Sequence, residues 1–192
     1  MTTTDHQRRR VHPLLLEQID RHWSAQLRPR LDGLTDGEYF WEPVPGAWNV
    51  RPRGTGSAPV QAGSGDFTID FAMPEPQPAP VTTIAWRLAH LVVGVLRMRT
   101  SAHFGGPATD YESFDYAGTA GEALAQLDEA YAAWLAGVRG WSTDEVWEPC
   151  GPAEGPFAKE PRATLVLHIN RELIHHGAEV ALLRDLWAAE HA

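Results

Sequence analysis

The chain has 192 residues, a formal net charge of −9, 43% hydrophobic residues and eight Trp. This length suits one domain over residues 1–192 with a sizeable core, and 21% charged residues argues against a wholly disordered chain. The net negative charge disfavours a nucleic-acid partner, since it repels phosphate. The single cysteine, Cys150, cannot form an internal disulfide.

The first residues lack the apolar stretch of a signal peptide, and the longest apolar run, near Leu88–Leu96, is too short to span a bilayer. We therefore expect a cytoplasmic protein with no membrane partner. The basic run Arg8–Arg10 is predicted to lie in a frayed N-terminus. The oligomeric state stays open, a homodimer included.

Apolar residues at helical spacing predict four helices, at residues 13–31, 83–103, 119–139 and 162–189. Gly33 ends the first helix. Thr82 or Thr83 can cap the second, and Thr119 with Glu122 has capping-box spacing before the third. The second helix is apolar on almost every side, so we expect it to be central in an all-α four-helix bundle.

A long segment rich in Gly, Pro and Ser, residues 51–80, separates the first two helices. Within it, Asp66–Ala72 alternates polar and apolar residues, which is typical of a short strand. The rest is predicted to be an irregular insertion, either solvated or acting as a lid. A short sequence repeat that ends in Trp-Glu-Pro, at residues 35–43 and 143–149, suggests two similar helical hairpins.

The fourth helix carries three titratable side chains at four-residue spacing, His168, Glu172 and His176. Side chains four apart lie one above the other, so Glu172 and His176 can direct a carboxylate oxygen and an imidazole nitrogen at one point. Zinc accepts both ligand types. The neighbouring His175 competes with His176 for this role.

A metal site inside a bundle takes further ligands from a facing helix. His90, in the middle of the apolar second helix, is the best candidate, and His103 at the end of that helix is the reserve. A single His among apolar residues is also typical of a hydrogen-bonded core residue. The presence of compatible groups on two helices favours a metal site over that simpler interpretation.

Three short motifs are Trp86-Arg-Leu-Ala-His90-Leu, Asn170-Arg-Glu172-Leu-Ile-His-His176-Gly and Glu42-Pro-Val-Pro-Gly-Ala-Trp48. Together they resemble the DinB-like superfamily, which includes mycothiol-dependent maleylpyruvate isomerases and bacillithiol and mycothiol S-transferases. The resemblance implies a four-helix bundle of up-down-down-up topology with a divalent metal, zinc or nickel, held by His90, Glu172 and His176. Many members have His at the position of Glu172. The His/Glu/His set of this chain is similar to that of the mycothiol-dependent isomerase branch. The insertion at residues 51–80 departs from short members, so no substrate carries over.

The resemblance further implies that the metal activates a low-molecular-weight thiol, mycothiol as cosubstrate, for transfer to or isomerisation of a small electrophile. No catalytic residue is assigned beyond the metal ligands, and Cys150 is interpreted as a small loop residue rather than a nucleophile. The candidates for contacts to the ligands or to substrate are His168, His175, Arg87, Arg97, Arg171 and Trp48.

Two alternative functions remain open. The first is a metal-dependent hydrolase, in which metal-bound water is the nucleophile and Glu179, one turn beyond His176, is the nearby acidic candidate for a general base. The second is a non-catalytic protein that binds a metal or small ligand, because a shared fold does not fix function.

Overall fold

The computed structural model describes residues 3–192, and the side chains of residue 8 and of residues 10–192. The chain is mostly helical, with one three-stranded antiparallel sheet. The helices are α1 (residues 3–30), α2 (Asp36–Tyr39), α3 (residues 84–104), α4 (Ala120–Gly140) and α5 (Arg162–Glu190). The strands are β1 (Val50–Pro52), β2 (Val60–Ala62) and β3 (Phe67–Phe71). Short 3-10 turns at Glu145–Trp147 and Pro152–Phe157 precede α5.

Helix α1 begins at Thr3, so the predicted start at Pro13 and the predicted frayed terminus at Arg8–Arg10 are wrong; residues 1 and 2 lie outside the described residues. Contacts from distant segments hold this region. The Arg8 guanidinium lies 4.9 Å over the Trp147 ring. His12 is buried, and its Nε2 donates to the Val138 carbonyl of α4 at 2.9 Å. Tertiary packing therefore extends the helix beyond its local apolar pattern.

Two of the long helices contain a π-helical stretch. In α1 it spans Trp23–Leu27, and in α3 it spans Leu91–Arg97, directly after the α-helical Ile84–His90. Such wider turns occur often at functional sites. Helix α3 packs against both α4 and α5, and its side chains are buried on several sides, which confirms its predicted central position.

The other long helices lie within about one residue of their predicted bounds, and side-chain caps set the starts of α3 and α4. The Thr83 hydroxyl accepts from the Trp86 amide at 3.2 Å at the start of α3. The Thr119 hydroxyl accepts from the Glu122 amide, also at 3.2 Å, at the start of α4. Helix α5 begins at Arg162, as predicted, directly after Pro161.

The insertion at residues 51–80 is more regular than predicted. The predicted strand at Asp66–Ala72 is confirmed as β3, which is the central strand of a sheet ordered β1-β3-β2. The outer strands are only three residues long, too short to show alternation. Long-range contacts hold them: Asp70 is buried and accepts from Arg51 Nε at 2.8 Å, and Arg51 also pairs with Glu42 at 2.8 Å.

Candidate metal centre

The centre is built where α3 and α5 face each other. His90 is the last residue of the first α-helical part of α3, directly before the π-helical stretch, while Glu172 and His176 lie one turn apart on α5. Helix α5 is held in place next to these ligands by Asn170, whose buried Nδ2 donates to the Leu15 carbonyl of α1 at 3.0 Å. This contact fixes α5 against α1 two residues before Glu172.

The three predicted ligands come together in the structure. One ligand atom from each of His90, Glu172 and His176 lies within 4.8 Å of the other two. His176 Nε2 is 3.3 Å from Glu172 Oε2, and the two imidazole rings meet nearly at right angles, with centroids 4.9 Å apart. His176 is buried, whereas His90 and Glu172 are half-buried.

The His90 ring is oriented by a residue from the loop between α3 and α4. Its Nδ1 is hydrogen-bonded to the Tyr111 hydroxyl at 2.8 Å, which leaves Nε2 for a metal. Gly94, one turn after His90, makes room for this contact: a Cβ at that position would lie 2.1 Å from the Tyr111 hydroxyl oxygen. Trp86 also stacks on the His90 ring, with centroids 5.5 Å apart.

The His176 ring is oriented by a carboxylate on its own helix. Its Nδ1 donates to Glu179 Oε2 at 2.6 Å, and Arg87 Nε lies 3.1 Å from the same oxygen. A carboxylate on one ring nitrogen fixes the tautomer and directs the other nitrogen, here Nε2, toward the ligand cluster. Arg87 in turn compensates the charge of Glu179.

The charge states suit a cation. Burial, together with the neighbouring His176 and the charge of Arg87, lowers the pKa of His90 from 6.5 to about 4, so the ring is neutral at pH 7. Burial raises the pKa of Glu172, but His168 and the hydrogen bond from Arg171 outweigh burial, and the net pKa is lowered. The cluster thus offers a neutral imidazole and an ionised carboxylate.

A profile of the DinB superfamily matches residues 68–180, which is more than half of the chain. The chain belongs to the DinB superfamily. The match runs from β3 into α5 and includes all three candidate ligands. Searches of curated proteins and of solved structures returned no match. Among the described residues, none of the helices is both long and apolar enough to cross a membrane.

Two further candidates contact the ligand set of this DinB-superfamily chain. His168 Nδ1 and Arg171 Nη2 lie 3.4 Å and 3.3 Å from Glu172 Oε1, the carboxylate oxygen other than the one that faces His176. His168 is therefore a neighbour of the cluster and not one of its three closest members. Arg171 is largely exposed.

His175 forms a second group with His176 and Glu179, also within 4.8 Å, but all three lie on one helix. Its side chain is 64% exposed, and its Nε2 is 3.5 Å from Glu179 Oε1. Glu179 Oε2 is already bound to His176 Nδ1, at 2.6 Å. This geometry favours the group that spans two helices.

Arg97, Trp48 and the reserve ligand His103 have other partners. Arg97 Nη2 lies 2.8 Å from Glu129 Oε2 on α4, and His103 Nε2 lies 2.9 Å from Glu154 Oε1. Trp48 does not contact His90 directly but packs against Trp86, with ring centroids 6.0 Å apart, and Trp86 stacks on His90. Arg87, by contrast, reaches the centre: its Nε lies 3.1 Å from Glu179 Oε2, and its Nη1 lies 3.4 Å from His176 Nδ1.

The sequence analysis missed Tyr111, and it placed no residue of the insertion at the DinB-type site. The backbone carbonyl of Asp70 on β3 accepts from Trp86 Nε1 at 2.9 Å, and Phe71 stacks on Tyr111 with centroids 6.3 Å apart. The sheet therefore forms part of the wall around His90. Only Gly94, a glycine in the middle of an apolar helix, signals that another group approaches there.

Proposed function

We propose that the chain binds one divalent metal ion, zinc or nickel, through His90, Glu172 and His176. The observation that carries this proposal is the convergence of one ligand atom from each residue, within 4.8 Å, from two facing helices. Membership of the DinB superfamily is consistent with a metal-binding protein.

The spacing of the ligand atoms is close to what an ion requires. Nitrogen and oxygen ligands about 2.1 Å from zinc lie about 3.4 Å apart in tetrahedral geometry. His176 Nε2 and Glu172 Oε2 already have this spacing, at 3.3 Å. All three ligand atoms lie within 4.8 Å of one another, so side-chain rotation is what would bring them to one ion. Three protein ligands leave a position for an exogenous group, as in catalytic metal sites.

We further propose an enzymatic role, in which a low-molecular-weight thiol such as mycothiol reacts with a small electrophile, by transfer or isomerisation. Bound there, the ion would supply Lewis acidity that favours the thiolate form of the thiol. The chain's own residues orient the ligands: Tyr111 holds His90, and Glu179 holds His176. The buried thiol of Cys150 donates to the Pro161 carbonyl at 3.4 Å, and burial raises its pKa, so it does not suit a nucleophile.

A hydrolytic function is the second candidate, and one observation weakens it. The acidic residue proposed as its general base, Glu179, is 2.6 Å from His176 Nδ1 and 3.1 Å from Arg87 Nε. A carboxylate engaged behind the imidazole ring is placed to orient that ring rather than to accept a proton from water. A non-catalytic metal-binding protein is the third candidate, and it requires the same three ligands.

The remaining expectations are proposals of the same kind. We propose that α1, α3, α4 and α5 form one four-helix-bundle domain of up-down-down-up topology, which the packing of α3 on α4 and α5, and of α1 on α5, supports. The net charge of −9 favours a small-molecule partner over nucleic acid. A homodimer and a cytoplasmic location remain proposals that sedimentation and fractionation can test.

The metal proposal is tested by isothermal titration of metal-free protein with zinc and nickel. We expect sub-millimolar binding to the wild type, and a sharp loss of affinity in His90→Ala, Glu172→Gln and His176→Ala. His191→Ala, an exposed histidine near the end of the chain, is the matched control and should bind like the wild type. His168→Ala should stay within about tenfold, since a neighbour of the ligands contributes less than a ligand. Wild-type protein that binds neither ion contradicts the proposal.

The enzymatic proposal needs a separate assay. Metal-loaded protein is incubated with mycothiol or other small thiols and with electrophiles, maleylpyruvate included, and each component is omitted in turn. Turnover that needs both metal and thiol supports transfer or isomerisation. Turnover that needs metal alone supports hydrolysis, and metal binding without turnover of any substrate supports the non-catalytic alternative.

A further inference from the structure

A cavity of about 790 Å³ lies beside the metal centre, between the N-terminal half of α5 and the segment that precedes it. This volume is typical of a small-molecule site, which occupies about 300–1,000 Å³. His168 and Arg171 line the cavity, and both contact Glu172 Oε1, at 3.4 Å and 3.3 Å. The end of the cavity that His168 and Arg171 line is therefore next to the ligand carboxylate.

The cavity wall presents large apolar side chains. Leu165 is buried on α5, whereas Leu167 is 50% exposed and Phe157 is 65% exposed, and all three line the cavity. Exposed leucine and phenylalanine that share one concave surface gain free energy when an apolar group covers them. The wall thus suits a ligand with an apolar body.

Four charged side chains line the cavity, Arg99, Arg171, Glu154 and the exposed Glu160, so the wall carries two arginines against two carboxylates. Glu154 is paired within the wall, with His103 Nε2 at 2.9 Å and Arg99 Nε at 3.6 Å from its Oε1. Arg171 is 69% exposed, and its contacts to His168 and Glu172 use Nη2, so other guanidinium donors remain for a ligand. A guanidinium binds a carboxylate with two parallel hydrogen bonds.

We propose that this cavity binds a small organic acid, with its apolar body against Leu165, Leu167 and Phe157 and its carboxylate on Arg171. That the cavity holds the substrate of the metal centre rests on the proposed function, because Arg171, which would bind the carboxylate, contacts Glu172. That the cavity binds an organic acid does not depend on the metal. A second cleft, of about 720 Å³, is lined by Asp66, Asp115, Glu122 and Glu129, and four carboxylates do not suit an anion.

The probes are 4-phenylbutyrate and its neutral analogue 4-phenylbutyramide, titrated calorimetrically into metal-free protein so that the carboxylate cannot bind an ion. We expect the acid to bind at millimolar concentration or below, and the amide about tenfold more weakly. Arg171→Gln should weaken the acid about tenfold and leave the amide unchanged. Arg139→Gln, which removes the same charge from a residue 54% exposed on α4, is the control and should have no effect.

The apolar contact is tested by Leu167→Asp, which places a carboxylate on the wall and should weaken both probes about tenfold or more. Leu182→Asp is its control, since Leu182 is 58% exposed on the same helix and does not line the cavity. Both leucines are exposed, so both variants should fold.

The outcomes separate the two proposals. Wild-type protein that binds neither probe, or equal affinity in Arg171→Gln and Arg139→Gln, overturns the cavity proposal. Zinc is then titrated into the same samples. Protein that binds zinc but no probe keeps the metal proposal and loses the cavity, whereas protein that binds phenylbutyrate but no zinc keeps the cavity and loses the metal proposal.

Discussion

Replacing Gly94 by Ala tests how the His90 ring is held. The added Cβ would lie 2.1 Å from the Tyr111 hydroxyl oxygen, 3.0 Å from its Cζ and 3.2 Å from His90 Nδ1. Heavy atoms do not approach so closely, so the Tyr111 side chain must withdraw. The 2.8 Å hydrogen bond between Tyr111 and His90 is then lost.

The fold and the site should respond differently to Gly94→Ala. Alanine in a helix interior is favoured over glycine by about 1 kcal/mol, and a lost hydrogen bond costs about 0.5–1.5 kcal/mol, so the free energy of unfolding should change by less than about 1 kcal/mol. Loss of a partner that orients a ligand histidine lowers metal affinity by about 10- to 100-fold. We therefore expect weak zinc binding in a stably folded protein.

Zinc titration and urea unfolding of the same samples measure both effects. Tyr111→Phe removes the hydroxyl without a clash, and it should reproduce the loss of affinity. Gly121→Ala in α4 is the matched control, since its Cβ would meet nothing within 4 Å, and its affinity should equal that of the wild type. Affinity within twofold of the wild type in a folded Gly94→Ala protein would refute the assigned role of Tyr111.

Three further predictions concern other contacts. Glu179→Gln should lower zinc affinity about 10- to 100-fold, because His176 loses its carboxylate partner; titration that gives wild-type affinity contradicts this role. In metal-free protein the pKa of His90 is lowered from 6.5 to about 4, so the unfolded chain binds a proton at higher pH than the folded one. The free energy of unfolding should fall as pH falls from about 6.5 to 4, by up to about 3 kcal/mol, and urea unfolding of His90→Gln should show a smaller fall; an equal fall in both refutes the assignment. Asp70→Asn should destabilise the protein by about 3 kcal/mol, the low end for a broken buried ion pair, because Arg51 loses Asp70 but keeps Glu42; an unchanged melting temperature argues against this.

The sequence predicts the helices best where the signals are local. Thr83 and Thr119 cap α3 and α4 through contacts three residues away, and both starts were predicted to within a residue. The start of α1 depends on His12 and its bond to Val138, more than a hundred residues later in the chain. No local pattern reports such a contact, so the prediction began that helix too late.

The candidate site, like the helices, is predicted where the signal is local and missed where it depends on long-range contacts. Glu172 and His176 can be paired from spacing alone, because a helix places residues four apart on one face. Their grouping with His90 depends on how α3 packs on α5, and metal binding by the three residues stays a prediction. Tyr111 lies in a loop without periodicity, and the two outer strands are three residues long, so their positions beside the site depend on tertiary contacts.

The sheet at residues 50–71 reaches the centre through Asp70 and Phe71, but the three candidate ligands are all on helices. The side chains that shape one wall and those that would hold the ion are thus encoded in separate stretches of the chain. Mutations in the strands and their turns can alter the shape of that wall while the helical framework keeps the ligands in place. For protein engineering, the sheet is the segment to randomise when a new substrate preference is sought with an unchanged metal centre.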